Sequence, residues 1–151
     1  MAVEDFLAQQ RAEVLDEAGE GLSRSHAAHY ERSGEEFTRE RLAELFDMVV
    51  AALRDRQLEE VARYSEAVAQ QRFENGFGIA EVQTAFNVME ETIWRHVVAS
   101  MSADELAEAL GLVGTVLGHA KDMMARRYVS LASQRHVPSL DLTTFFSGPE
   151  H

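Results

Sequence analysis

The amino-acid sequence predicts an all-α fold, a bundle of about six helices with a long C-terminal helix. Apolar residues recur at spacings of three and four through most of its 151 residues, which is the period of helices that bury one face. Two S-x-x-E patterns, at Ser33 and Ser102, have the spacing of capping boxes that begin helices. A chain of this length, 46% of it hydrophobic, is sufficient for one domain with a buried core.

The N-terminal third is predicted to contain two substantial helices with a short polar piece between them. The first helix spans positions 3–18 and is expected to end at Gly19 and Gly21. Positions 22–33 are more polar and are expected to form one or two helical turns. A capping box then begins the next helix, which continues to about Arg56.

The stretch from Leu58 to Val98 is predicted to form two amphipathic helices joined by a tight turn, Asn75-Gly76-Phe77-Gly78. Gly76 suits the left-handed residue that ends a helix, because it has no Cβ to clash in that conformation. Gly78 can begin the next helix without a steric penalty. We expect this pair of helices to be the unit on which the rest of the chain packs.

The last helix is predicted to begin at Ser102 and to run to about Gln134, roughly 48 Å at 1.5 Å per residue. It contains Gly111, Gly114 and Gly118, each of which costs about 1 kcal/mol relative to alanine. Two interpretations of these glycines remain open. They allow the close approach of a crossing helix inside the domain, or they form the seam of a dimer.

Pro138 is expected to end the last helix, since proline cannot continue it. We therefore divide the chain into a helical domain over 1–136 and a C-terminal tail over 137–151. The tail contains Phe145 and Phe146, which are candidates for packing onto the domain.

The charge and the composition exclude several classes of protein. A net charge of −12 argues against binding to nucleic acid and to anionic membranes, which both need a basic surface. No run approaches the roughly 20 apolar residues of a membrane span, and the N-terminus lacks the features of a secretory signal. There is no cysteine, and so no disulfide framework. We expect a cytoplasmic protein.

No pattern in the chain indicates catalysis or a bound metal. Nucleophile-elbow, phosphate-loop and dinucleotide-binding patterns are all missing from the sequence. His26 and His29 have a spacing that could share a metal on a helix, but no further ligand follows at a fixed spacing. No histidine is preceded three positions earlier by glutamate, which excludes the di-iron carboxylate bundles. We expect no catalytic residue and no cofactor.

Haem is the one cofactor that stays open as an alternative. A helical fold with a histidine on an inner helix face can hold haem through a proximal imidazole. His96 lies at the edge of the apolar face of its predicted helix, and His119 lies beside Ala120. Either could serve as the ligand of a haem-based gas or redox sensor.

The segment over 63–82, RYSEAVAQQRFENGFGIAEV, followed by Thr92-Ile93-Trp94, resembles the RsbRD N-terminal domain family. In that family a helix ends in a glycine-containing turn, an amphipathic helix follows, and an aromatic residue, often tryptophan, comes about fifteen residues later. Tyr30, ahead of a predicted capped helix, also matches the family layout. The resemblance covers most of positions 5–133.

The resemblance implies a haem-free, globin-like sensory domain that dimerises and acts in bacterial stress signalling. Such domains commonly precede a STAS domain or a histidine kinase, which makes proteins of these types the expected partners. Because this chain ends at His151 without such a domain, we expect it to act alone or through another chain.

Our leading hypothesis is a non-enzymatic signalling domain that senses through its dimer packing or through a small interhelical ligand pocket. A plain adaptor that only dimerises is a further alternative. The residues expected to line the pocket come from the two central helices: Phe73, Phe77, Phe86, Met89, Trp94 and His96.

Overall fold

The computed structural model describes residues 1–136, and over this range the chain is all-α with no strand. The helices are α1 (Val3–Gln9), α2 (Arg11–Arg24), α3 (Ala28–Ser33), α4 (Glu35–Asp55), α5 (Glu59–Glu74), α6 (Ile79–Ser100) and α7 (Ala103–His136). The predicted all-α class and the long C-terminal helix are confirmed. The predicted tail over 137–151 lies outside the described residues.

The first predicted helix is two helices, which explains why the described part of the chain has seven helices rather than about six. The chain turns at Gln10, between α1 and α2. Leu7 and Val14 are buried, but every residue from position 8 to 13 is at least partly exposed. No residue of that stretch is buried, so nothing in it anchors the chain to the core where α1 ends and α2 begins.

Gly19 and Gly21 do not end a helix, as the sequence analysis expected, but lie inside α2. A Cβ atom added at Gly21 would lie 3.0 Å from Cγ1 of Val88 on α6. Gly21 therefore allows α2 to approach α6 closely, and that contact outweighs the low helix propensity of glycine. This packing reason is not visible in the local sequence.

The predicted capping box at Ser33 does not form. The hydroxyl of Ser33 donates to the carbonyl oxygen of His29 at 2.8 Å, one turn back along α3. Gly34 has φ +93° and separates α3 from α4, which begins at Glu35 without a side-chain cap. Serine hydroxyls often bond a carbonyl four residues earlier, and here that bond replaces the expected cap.

The glycine turn between α5 and α6 is confirmed. Gly76 has φ +84°, and the N–H groups of Gly76 and Phe77 donate to the carbonyls of Phe73 and Arg72. This pair of bonds is the Schellman motif, which requires a left-handed residue where glycine is best tolerated. Gly78 begins α6, and its N–H donates to Oε1 of Glu81 at 3.1 Å.

Helix α7 organises the bundle. It begins one residue after Ser102, whose hydroxyl donates to Oε1 of Glu105 at 2.9 Å, and its 34 residues extend for about 51 Å. It packs mainly along α5 and α6 and also contacts α4. The hydroxyl of Tyr128 donates to the carbonyl of Phe77 at 2.6 Å, which fastens α7 to the α5–α6 turn.

One hydrophobic core joins the helices. The largest fully buried side chains come from α1, α2, α4, α5, α6 and α7: Leu7, Val14, Leu15, Leu22, Phe46, Val49, Leu53, Val61, Met89, Ile93, Leu117 and Met124. Within residues 1–136, no helix combines the length and the apolar character needed to cross a bilayer.

Candidate functional site

A buried arginine surrounded by aromatic rings lies where α3, α4, α5 and α6 meet. The side chain of Arg72 is only 2% exposed. Its guanidinium carbon lies 5.9 Å from the ring centre of Tyr30, 5.7 Å from that of Phe37 and 5.8 Å from that of Phe77. Its Nε donates to the hydroxyl of Tyr30 at 3.2 Å. The negative faces of the rings attract the cation, and desolvation strengthens that attraction.

The local chain explains how these groups meet. Arg72 lies in the last turn of α5, and the Schellman turn that follows joins its carbonyl to the N–H of Phe77. The turn therefore returns Phe77 to the end of α5 beside Arg72. The ring of Phe77 packs edge-on against Tyr30, with ring centres 4.8 Å apart.

Glu81 holds α3 against the start of α6. Its carboxylate accepts bonds from the backbone N–H and the imidazole Nδ1 of His29, both at 2.7 Å, and from the N–H of Gly78. Partial burial acts to raise the pKa of Glu81. The bonds from His29 and Gly78 stabilise the charged carboxylate and outweigh burial, so the pKa lies below its ordinary value.

A small cavity of about 10 Å³ adjoins Arg72. Its polar lining consists of two arginines, Arg41 and Arg72, and two tyrosines, Tyr30 and Tyr64. Burial raises the pKa of both tyrosines, so their hydroxyls stay protonated. The remainder of the lining is apolar: Leu42, Leu45, Val68, Ala85 and Phe86.

A larger and more open cleft of about 780 Å³ lies between α2, α3 and α4. Charges of both signs line it, and a pair between Arg39 Nη1 and Asp16 Oδ1, at 2.5 Å, crosses from α4 to α2. Its other lining residues include Glu20, Glu31 and Glu35. The cleft is open at the protein surface, and the pair between Arg39 and Asp16 neutralises two of its charges.

Comparison with known proteins assigns the chain to a family. The family model described as the RsbT co-antagonist protein rsbRD N-terminal domain matches residues 4–136. The chain belongs to this family. No curated protein and no solved structure shows a significant match. Membership of the RsbRD N-terminal family makes the chain a stress-signalling domain of co-antagonist type, and the resemblance found in the sequence is confirmed.

In this RsbRD N-terminal domain the six residues predicted to line a pocket do not share one cavity among those described above. Phe77, Phe86 and Met89 are buried in the core, and of these only Phe86 reaches the small cavity. Phe73 packs edge-on against Tyr128 at 5.4 Å. Trp94 is 49% exposed at the surface of α6. A ligand pocket lined by these six residues stays a prediction.

The two histidines proposed as haem ligands lie on different helices of the RsbRD domain. His96, on α6, has its Nε2 3.0 Å from Oε2 of Glu17 on α2. His119 is half-buried on α7. The contact with Glu17 gives His96 a role in holding α2 against α6.

His26 and His29, considered above for a metal, contact different carboxylates. His26 Nδ1 lies 3.2 Å from Oε1 of Glu31, whereas His29 binds Glu81. Among the described residues, no group of three or more histidine, aspartate and glutamate side chains is arranged to hold a metal ion.

The three glycines of α7 are not explained by close packing inside the domain. Gly111, Gly114 and Gly118 are exposed, and a Cβ added at any of them would meet no atom within 4 Å. No helix of the described chain crosses them, which contradicts the first of the two interpretations. The dimer seam stays a prediction.

The residues that sequence reasoning missed are Arg72, Arg41, Tyr30 and Tyr64. Arg72 lies four residues after Val68 and eleven after Val61, so it occupies the buried face of α5. The sequence alone could have identified Arg72 as unusual, because it continues the apolar stripe of α5. A charged side chain is rarely buried unless other groups compensate its charge.

Proposed function

We propose that this chain is a non-enzymatic signalling domain of the bacterial stress response that works as a homodimer and through contacts with partner proteins. Family membership over residues 4–136 supports the signalling role. We further propose a globin-like helical arrangement for residues 1–136, a separate tail over 137–151, a cytoplasmic location and partners of STAS or kinase type. The proposed dimer is supported by an exposed surface on α6 and α7.

The proposed dimer surface consists of the outer faces of α6 and α7. On α6, Trp94 is 49% exposed and Val98 is 39% exposed, one turn apart. On α7, Gly111, Gly114 and Gly118 lie on an exposed face with no atom near their Cβ positions. We refer to these five residues as the α6–α7 face.

An ion pair sets the register between these two antiparallel helices. Nζ of Lys121 lies 2.6 Å from Oε1 of Glu90 and 3.2 Å from Oδ1 of Asn87. Trp94 lies one turn after Glu90 along α6. Because α7 runs antiparallel to α6, the matching position on α7 lies one turn before Lys121, at Gly118, and Gly114 follows one turn further on. The exposed indole is thus level with the exposed glycines.

A second copy of the chain is the occupant that fits the α6–α7 face. Glycines at spacings of three and four allow a partner helix to approach the backbone of α7 closely. Trp94 and Val98 supply apolar area beside them, and a buried tryptophan is among the strongest contributors to interfaces. In a two-fold dimer each copy would offer its tryptophan to the glycines of the other.

Sedimentation of the purified protein over a range of concentrations tests this proposal. We expect a dimer for the wild type and a shift to monomer for Gly114→Leu, because a leucine side chain would stand where the partner must approach. Val129→Ala is the control, since Val129 is also exposed on α7 and lies outside the face. A wild-type protein that stays monomeric at high concentration would refute the dimer.

The contacts of His96 weigh against the haem alternative. To ligate iron through Nε2, its imidazole would have to leave Glu17, which holds that nitrogen at 3.0 Å. Protein reconstituted with haemin gives a direct test. A Soret band that disappears in His96→Ala or His119→Ala would restore the haem sensor in place of the signalling module proposed here.

A further inference from the structure

Helix α3 is short and depends on the rest of the domain for its stability. It has six residues, and no side chain caps its N-terminus. Isolated helices of fewer than about 12–15 residues are at best marginally stable in water. Of the six residues only Tyr30 is buried, His29 is half-buried, and the other four are exposed. Two residues therefore hold this helix in place.

Residues with positive φ bound α3 on both sides. His26, before the helix, has φ +53°, and Gly34, after it, has φ +93°. Glycine adopts such a conformation at little cost because it has no Cβ, whereas histidine is strained there. Strain of this kind persists only while the surrounding contacts maintain it. We refer to residues 26–34 as the α3 segment.

The contacts that anchor the α3 segment are mostly polar. The backbone N–H and the imidazole Nδ1 of His29 both bind the carboxylate of Glu81, at 2.7 Å. The hydroxyl of Tyr30 accepts a bond from Nε of Arg72 at 3.2 Å, and its carbonyl accepts one from the hydroxyl of Thr38 at 3.3 Å. Segments with few buried apolar side chains are the ones that open locally, before the domain as a whole unfolds.

The α3 segment lies between a buried layer and an open cleft. On its inner side Tyr30 contacts Arg72 and packs against the ring of Phe77, and these two side chains are only 2% and 3% exposed. On its outer side Tyr30 and Glu31 line the cleft of about 780 Å³ between α2, α3 and α4. The cleft gives the segment space into which it can move.

We propose that the α3 segment is a latch that opens as a unit while the rest of the bundle stays folded. Opening breaks the bonds between His29 and Glu81 and withdraws Tyr30, which uncovers the guanidinium of Arg72 and the ring of Phe77. The open state then presents a cationic, aromatic surface that the closed state hides. As a means of regulation the latch rests on the signalling function proposed above, because a partner that binds only the open state would shift the population towards it.

Native-state hydrogen exchange of the full chain, followed by NMR in low concentrations of urea, tests the latch. We expect the amides of the α3 segment to exchange faster than the core amides of α4 to α7, at rates that depend little on urea, because local opening exposes little surface. The same rate and urea dependence in both sets would overturn the latch. So would a complete lack of protection in the segment. The reporters are amides whose hydrogen bonds are lost on opening: His29, Glu31 and Gly34.

Three variants separate local opening from global unfolding. Glu81→Gln should speed exchange in the α3 segment by about tenfold or more, because it weakens charged hydrogen bonds. Glu91→Gln, the control on the same helix, should leave it unchanged, since Glu91 is exposed and pairs with Arg95. Val113→Ala removes buried apolar volume from α7, so it should speed exchange in the core but not in the α3 segment. Equal acceleration of both sets in Val113→Ala, or no effect of Glu81→Gln on the segment, would overturn the proposal.

Modification of arginine by phenylglyoxal tests what the opening uncovers, with peptide mass spectrometry measuring the rate at each site. In the wild type Arg72 should react far more slowly than Arg126, which is exposed. Glu81→Gln should raise the rate at Arg72 by the same factor as amide exchange and leave Arg126 unchanged. If Arg72 stays unreactive while the α3 amides exchange faster, the open state does not expose it and the proposal fails. The latch is separable from the dimer, because a monomeric wild type with the expected exchange would refute the dimer alone.

Discussion

His29 binds Glu81 through two atoms, its backbone N–H and its imidazole Nδ1, each 2.7 Å from a different carboxylate oxygen. The two residues are 52 positions apart, so this contact joins the short helix α3 to the first turn of α6. The same carboxylate accepts the N–H of Gly78, which begins α6. One side chain therefore sets the start of a helix and the position of its neighbour.

We expect Glu81→Ala to destabilise the domain by about 2–3 kcal/mol, since it removes three hydrogen bonds to a charged, partly buried acceptor. Urea unfolding followed by circular dichroism would measure the loss. Glu91→Ala is a matched control on the same helix. Glu91 is exposed and pairs with Arg95 one turn later, so its loss should cost no more than about 0.5 kcal/mol. Equal losses in the two variants would contradict the role of Glu81.

The stability of the domain should depend on the ionisation of Glu81. Because its folded-state pKa is lowered, the carboxylate contributes stability that is fully present above its unfolded pKa, about 4.3. That contribution is lost as the pH falls through the lower, folded pKa. Urea unfolding of the wild type and of Glu81→Gln should therefore differ most near neutral pH and converge in acid. A difference that does not shrink as the pH is lowered into the acid range would contradict this linkage.

Gly76 and Gly19 should respond in opposite directions to replacement by alanine. Gly76 has φ +84°, where a Cβ is strained, so Gly76→Ala should lose about 1–2 kcal/mol. Gly19 lies inside α2, where an added Cβ would meet no atom within 4 Å, so Gly19→Ala should gain up to about 1 kcal/mol. Urea titrations of both variants would check the signs. A loss of stability in Gly19→Ala would contradict the open space beside this glycine.

The features that sequence reasoning predicted correctly are those set within a few residues. The apolar period located the long helices, and the need for a residue with φ > 0 identified Gly76. One error arose where a distant contact decides the outcome, since Gly21 allows close packing against Val88, 67 positions away in the chain. Another was local, because the Ser33 hydroxyl bonds the carbonyl of His29, four residues earlier, in place of the expected cap.

The same distinction applies to the candidate site. Arg72 interrupts an apolar stripe and so could have been recognised as unusual from the sequence. Its convergence with Arg41 and Tyr30 could not, because those residues come from α4 and α3 and meet only in the folded chain. The residues predicted to line a pocket included Phe77, which packs against Arg72, and also Trp94, which faces solvent.

Trp94 is the single tryptophan of the chain, so its fluorescence reports on the α6–α7 face alone. In the monomer its indole is 49% exposed, and a soluble quencher such as acrylamide should reach it readily. If two copies meet on this face, the indole becomes buried, its emission shifts to shorter wavelength, and quenching weakens as the protein concentration rises.

Gly114→Leu should retain strong quenching at every concentration, since it blocks the approach of the partner without altering the indole. Val129→Ala should follow the wild type. Sedimentation shows only whether a dimer forms. Quenching of the indole also shows whether Trp94 lies in the dimer interface. A protein that sediments as a dimer while its tryptophan stays fully quenchable would place the interface elsewhere on the surface, and the exposed glycines of α7 would then lack an explanation in self-association.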